Sequence, residues 1–370
     1  MTAHVHLTDA PGWPAGGAPL LASSRRAGWR FELLDRRERS LGPLRTCRGL
    51  SLTLNVNAAV RLSGGVTYTG PRIDWTAHRI RAWHWVSARG QVLEWPVGTF
   101  LVSAPEEQLG GWSTGSLELG LSDLSSRLDR LKSSASPWIA HKGANIVGTV
   151  RALLDTQSVR HSIEDSDEVL TSTMTWKPGT PYRKIVNELL DAAGFFAVWA
   201  DPYGVLRSQY RRPPSAREER YVFEDDRGGE SLITVPEFVR RRDDAVPNRV
   251  YLIAESDDPD ALPVVGTAAD EDPDSPFSWL TTGVVETHTE ENVPAASQAV
   301  MDARAAERLR SLQRVSTVYE WETLLLPLDG NDVVRLRRRD EDVDAAVVVE
   351  KAEIRQGRER MKITGREVNA

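Results

Sequence analysis

Hydrophobic and polar positions alternate over the first third of the chain. Residues 50–60 open Leu-Ser-Leu-Thr-Leu-Asn-Val-Asn, and residues 80–86 alternate around Trp83 and Trp85. Period two is the signature of a strand with one face buried. Residues 95–102 and 117–121 add two more such runs, separated by Ser63-Gly64-Gly65, Thr69-Gly70-Pro71 and Arg89-Gly90, which are turn-forming sequences. Residues 1–120 therefore read as an antiparallel β domain, with residues 1–28 extended.

From residue 121 the period changes. Leu121, Leu124, Leu128 and Leu131 are three and four residues apart, which predicts one face of a helix. Asn145 is placed to cap a second helix whose apolar face is Ile146, Val147, Val150, Leu153 and Leu154. A third has Thr180 as N-cap, Pro181 at its first position, Ile185, Val186, Leu189 and Leu190 on one face, and Gly194 as its stop. Residues 195–200 and 205–210 then flank Asp201-Pro202-Tyr203-Gly204, a turn that predicts a hairpin. Residues 121–215 thus form a smaller helix-plus-hairpin insert.

Strand patterns return in residues 216–370, at 221–223, 248–255, 284–289, 315–326, 332–336, 345–354 and 361–364. One helix interrupts them near 294–312, starting at Pro294 and running through Ala305 and Leu309. Residues 257–276, rich in Asp and Pro, read as an exposed loop or a segment ordered by a partner. No short-period repeat is present. The expected fold class is α+β, mainly β.

Composition narrows the function. The chain has 370 residues, 40% hydrophobic and 27% charged, enough for two or three domains that fold without metals or disulfides. Cys47 is the single cysteine, expected to be an inert structural thiol made in a reducing compartment. No apolar run reaches signal-peptide length near the start or the roughly 18 residues of a membrane span, so cytosolic synthesis and no integral membrane segment are expected. The net charge of −7 argues against a dedicated nucleic-acid binder. Arg240-Arg241-Arg242 is followed by Asp243-Asp244, and the arginines of 335–339 by Asp340-Glu341-Asp342, so both basic runs read as solvated or interface charge.

Candidate chemistry is sparse. Gly111-Trp112-Ser113-Thr114-Gly115 matches the nucleophile-elbow pattern, but Ser116-Leu117-Glu118-Leu119-Gly120 alternates as a strand where a helix should open. A glycine-rich hairpin turn is the better reading. Asp270-Glu271-Asp272-Pro273-Asp274 offers alternate carboxylates for calcium, yet Ser275 stands at the required glycine and Thr281 at the bidentate glutamate. His4, His6, His78 and His84 form no zinc-ligand spacing. Asp225-Asp226 and Glu106-Glu107 are carboxylate pairs of the kind glycoside hydrolysis uses, common by chance in an acidic chain. No catalytic, cofactor-binding or metal-binding residue is assigned. Twelve tryptophans, among them Trp75, Trp112, Trp138, Trp176, Trp199, Trp279 and Trp321, serve core packing first and subunit interfaces second.

The order of several segments resembles siphophage tail hub proteins, the minor tail proteins of actinobacterial-type phages. The similar pieces are 95–102 with the following strand and the Asp123 helix, Lys142-Gly143, and 185–195 leading into 201–207. Val246-Pro247-Asn248-Arg249-Val250-Tyr251-Leu252-Ile253, the Ala305-Ala306-Glu307-Arg308-Leu309 helix, Tyr319-Glu320-Trp321-Glu322 and Asp332-Val333-Val334-Arg335-Leu336 continue the series. The resemblance implies two tail-tube-like antiparallel β-barrel domains around the insert, in a homotrimer with pseudo-sixfold symmetry at the tail tip of the virion. It implies a non-enzymatic baseplate-hub role. The ring would join the tail tube or distal tail protein and the tape-measure protein to tip or receptor-binding proteins, and pass DNA at ejection without sequence-specific nucleic-acid binding. The alternatives are a tail-associated cell-wall hydrolase using Ser113 or a carboxylate pair, and a carbohydrate-binding receptor module.

Overall fold

In the computed structural model, which describes residues 25–88, 91–103, 106–107, 116–224, 232–242, 246–254, 264–275, 277–293, 298–313, 317–357 and 359–368, the alternating runs become strands. The first eight are β1 (Arg26–Leu34), β2 (Ser40–Pro43), β3 (Cys47–Asn55), β4 (Leu62–Tyr68), β5 (Arg79–Ala88), β6 (Gln91–Val102), β7 (Glu106–Glu107) and β8 (Leu117–Asp123). In β5 the buried side is Ile80, Ala82, His84, Val86 and Ala88. Trp83 and Trp85 occupy the half-exposed side, where Trp83 lies under the Arg30 guanidinium at 4.6 Å and donates to Glu32. β3 stops at Asn55, short of the expected residue 60, because the Asn55 side chain accepts from the Asn57 N–H at 3.0 Å and turns the chain.

The helix expected over Leu121–Leu131 is corrected. Leu121 belongs to β8, Leu124–Ser126 is a 3₁₀ turn, and α1 (Arg127–Arg130) is a single α turn. Asp123 starts this break by accepting from the Ser125 N–H and from the Leu62 N–H of the neighbouring strand. Leu121, Leu124 and Leu128 are all buried, but their spacing spans a strand-to-turn transition, not one helical face.

The next elements are β9 (Trp138–Ala140), α2 (Ile146–Thr156), β10 (His161–Ile163), β11 (Met174–Trp176), α3 (Tyr182–Ala192), β12 (Trp199–Ala200) and β13 (Leu206–Ser208). Asn145 caps α2 by accepting from Gly148 N–H at 2.6 Å, and the five expected apolar residues are buried. α3 buries Ile185, Val186, Leu189 and Leu190 and ends at Gly194, whose φ of +73° suits a residue without a Cβ. Its start differs by one residue. Pro181 occupies the cap position, and the Thr180 hydroxyl donates to Lys177 O instead of capping. α2 and α3 share one apolar core with Leu128, Phe195 and Leu206. β12 and β13 form the expected hairpin about Asp201–Gly204.

The remaining elements are β14 (Glu219–Glu224), β15 (Ile233–Arg242), β16 (Arg249–Ala254), β17 (Val265–Ala269), α4 (Trp279–Thr282), β18 (Thr287–Val293), α5 (Gln298–Leu312), β19 (Thr317–Leu324), β20 (Val333–Arg338), β21 (Val343–Arg355) and β22 (Arg360–Glu367). The chain divides into a larger unit, Met1–Phe238 with Glu320–Gly365, and a smaller one, Val239–Tyr319 with Arg366–Ala370.

The large sheet runs β15-β19-β22-β21-β3-β4-β8-β6-β5-β1-β2, with β14 and β20 branching from β21 and β7 pairing with β8. Its pivotal pairing is β21 with β3, antiparallel from Lys351↔Asn55 to Arg355↔Ser51. Strands from the two ends of the chain are therefore neighbours in one ladder. Along β21 the buried positions are Val343, Ala345, Val347 and Val349, then Ala352 and Ile354. The parity changes between the half that pairs with β20 and the half that pairs with β3.

In the smaller unit β16 pairs antiparallel with β17 and parallel with β18, and α5 packs Met301, Ala305 and Leu309 on Val250 and Leu252. β17 corrects the expectation of a loop across 257–276, of which residues 257–263 and 276 lie outside the described set. Gly266 allows this strand to meet the helix, since a Cβ there would lie 2.4 Å from Met301 O. The strand expected at 284–289 is displaced to β18. Buried Asn248 donates to Val284 O and accepts from Glu286 N–H, holding that stretch as a loop.

Candidate functional site

The Asp201–Gly204 turn joins the insert to the β5 and β6 strands within the larger unit. Asp201 is buried and accepts from the Tyr203 and Val205 N–H groups and from Arg207 Nε at 2.7 Å. That fixed turn presents Pro202 O to the Thr99 hydroxyl at 2.8 Å, while Arg81 donates to Thr99 Oγ1 and to Tyr203 O. α3 is fastened as well, because buried Arg183 donates to Asp129, Ala59 O and Ser125 Oγ.

Between these elements and the segment after β19 lies a recess of about 200 Å³. Leu54, Trp95, Leu326, Ile354 and Met361 give it apolar walls, and Arg61, Asp329 and Tyr203 give it polar points. Arg61 is only 6% exposed, and its guanidinium lies 4.4 Å from the centre of the Trp199 ring, a cation–π arrangement that suits a desolvated cation. It reaches Ala197 O at 3.5 Å, while its Nη1 is buried without an acceptor. Trp199 Nε1 donates to Asp329 at 3.1 Å, so one acid ties the insert to the segment after β19. Asp332 accepts from the Asp329 N–H at 2.8 Å. Burial, then the Asp329 charge, pushes the Asp332 carboxyl up to about 7. Among the residues lining the recess there is no serine, cysteine or histidine. It offers shape, one buried cation and hydrogen bonding; it does not present a nucleophile beside a base.

The residues with candidate chemistry are scattered. Ser113, Asp225, Asp226, His4 and His6 lie outside the described residues, and Glu106 and Glu107 form the short β7. Cys47 is buried, and burial pushes its thiol up to about 12, as an inert thiol requires. Asp270, Asp272 and Asp274 make local turns, and Asp270 accepts from Ser275 and Gln313 side chains. His84 is enclosed between Trp29 and Trp95, with ring centres 5.0 and 4.9 Å away. Burial and Arg25 lower it to about 4, so the Glu359 carboxylate 3.4 Å from Nε2 faces a neutral ring, not an ion-pair partner. Among the described residues no group of three His, Cys, Asp or Glu side chains is arranged to hold a metal ion, and no helix is long and apolar enough to cross a membrane. The arginines of β20 are matched by acids: Arg335 by Asp344 and Glu219, Arg337 by Asp344, and Arg338 by Glu341. Trp75, Trp95, Trp176, Trp199 and Trp321 are buried. Sequence reasoning did not single out Arg61 or Asp329; their partners come from segments far apart in the chain.

No protein-family model matches the chain, and no curated protein matches it by sequence. Solved structures do. A tail protein from Neisseria meningitidis MC58 aligns at TM-score 0.60 and 13% identity, covering 92% of this chain and 97% of that one. The 43 kDa tail protein of prophage MuSo2 from Shewanella oneidensis aligns at TM-score 0.60 and 10% identity, covering 92% and 98%. The chain has the fold of these phage tail proteins. A prophage tail protein, gp18, from Listeria monocytogenes EGD-e shares it at TM-score 0.51 and 12% identity over 92% and 94%. These alignments take in almost the whole of each chain.

Proposed function

We propose that this chain is a non-enzymatic structural protein of a bacteriophage tail tip, and that three copies close into a hub ring in the virion. The observation that carries the reading is the end-to-end likeness to two phage tail proteins, at a TM-score of 0.60. The joined sheet supports it. Strands of the expected N-terminal region 1–120 and C-terminal region 216–370 meet at β3 and β21. Two such regions, each read as a tube-like barrel domain with the 121–215 insert between them, would present six similar faces from three chains to a sixfold tube. A closed ring also covers strand edges such as β2 and β15, which terminate the ladder path.

In this role the ring joins the tail tube or distal tail protein and the tape-measure protein to tip or receptor-binding proteins, and its lumen passes DNA during ejection. The excess of acids, a net charge of −7, favours a lumen to which DNA does not adhere. The test is native mass across a concentration series, alone and with the tail tube protein. The expected species is a trimer of about 123 kDa, built from chains of 41.1 kDa. A monomer at every concentration, with or without the tube protein, would overturn the ring.

A further inference from the structure

A second, smaller recess lies on the larger unit where the β1–β2 turn and the start of β5 face α1, the α2–β10 connection and the β12–β13 turn. Four arginines line it, Arg36, Arg79, Arg127 and Arg160, against one acid, Glu38. Arg130 adds a fifth positive charge close to Arg79. In a chain whose net charge is −7, this is a local concentration of the opposite sign.

The guanidiniums are held mostly by neutral groups. Arg79 donates to His78 O at 2.8 Å, Arg127 to Gln157 O at 2.8 Å and Arg160 to Tyr203 O at 2.8 Å. Backbone carbonyls fix orientation but leave the Arg79 and Arg127 charges uncancelled, whereas Arg160 also faces the carboxylates of Glu38 and Asp201. Part of the Arg127 placement has a structural reason, since it satisfies carbonyls just beyond the C-terminus of α2. Glu38 pairs with Arg160 alone among the lining arginines, and Arg36 makes no hydrogen bond or ion pair among the described residues. Burial first, and then the neighbouring charges of Arg127, Arg36 and Arg130, disfavour the Arg79 cation, and a bound anion would offset the repulsive part.

We infer that this recess binds a phosphoryl-type oxyanion. A tetrahedral anion with several acceptor oxygens suits guanidiniums that converge from separate segments. The volume sets the mode: at about 10 Å³ it admits roughly one water-sized atom. One oxygen would enter, and the others would remain at the mouth against exposed Arg36 and Arg160. Such shallow seating suits a phosphate group carried on a larger molecule as well as the free ion.

The test measures the melting temperature and calorimetric binding of the full chain with inorganic phosphate, against chloride at equal ionic strength. Phosphate should stabilise the protein beyond chloride. Arg36→Glu, at an exposed site, should weaken phosphate binding roughly tenfold or more. Arg72→Glu, which makes the same charge change at an exposed site outside the recess, should leave it intact. Absence of a phosphate-specific effect, or equal loss in both variants, overturns the inference. A short thymidine oligonucleotide distinguishes the sources. Competition with phosphate that is abolished by Arg36→Glu assigns a phosphodiester strand, whereas phosphate binding without oligonucleotide binding assigns a free or terminal phosphate.

Discussion

Asp332, half-buried, and His84, buried, are groups whose titration acts in opposite directions. Asp332 has a folded-state value of about 7, above an unfolded carboxylate near ~3.9. The folded state holds this proton more tightly, so the contribution to stability is complete below the unfolded value and is lost as pH rises through about 7. Asp332→Asn keeps an acceptor for the Asp329 N–H and removes that loss. It should raise the melting temperature at pH ~8 by roughly 2 °C per kcal/mol gained and have little effect at pH ~4, read from thermal melts at the two values. His84 has its folded value lowered to about 4, so its contribution is present above the unfolded value near ~6.5 and is lost as pH falls towards 4. An NMR titration should find this ring neutral at pH ~6; a protonated ring there would refute the cost assigned to its burial. Neither group was legible as special in the sequence. Burial of His84 follows from strand parity, which sent the larger Trp83 and Trp85 to the other side.

At the scale of elements, local chemistry predicted well where it acts within one segment. Asn145 and the apolar stripe of α2, the stripe of α3, and the Asp201–Gly204 turn were all readable, because caps, helical period and turn residues lie within a few positions of each other. Asn145→Ala should cost about 1 kcal/mol through the lost cap. Leu189→Ala, at a fully buried site, should cost about 2–5 kcal/mol through cavity formation. Denaturant titration measures both. The pattern failed where a contact elsewhere decides the structure. Val265–Ala269 has one sizeable apolar residue, Val265, and its strand exists because β16 offers an edge and α5 approaches over Gly266. Gly266→Ala should therefore displace α5 and raise hydrogen exchange in the smaller unit, even though alanine is a milder strand residue than most. Leu121–Leu131 failed in the opposite way: a helical spacing was broken at Asp123, which accepts from the nearby Ser125 N–H and from the Leu62 N–H 61 positions away.

For the whole molecule, β21 decides how the chain ends meet. Its first half pairs with β20 and its second with β3, and the buried parity changes between Val349 and Ala352. A one-residue slip exchanges the faces of a strand, so deleting Glu350 should misplace one half and leave the protein largely insoluble, whereas Glu350→Gln should be tolerated. Soluble yield and thermal unfolding would separate the two. The sequence by itself determined the mainly β character, the helices α2 and α3 with the hairpin that follows them, and an order of segments that resembles phage tail proteins. Each depends on neighbours within a few residues or on composition. Tertiary structure alone decided the β3–β21 ladder, the seating of Arg61 on Trp199 beside Asp329, and the convergence of Arg36, Arg79, Arg127 and Arg160. These unite residues tens to hundreds of positions apart, where no local periodicity records which strand, ring or charge will be the neighbour.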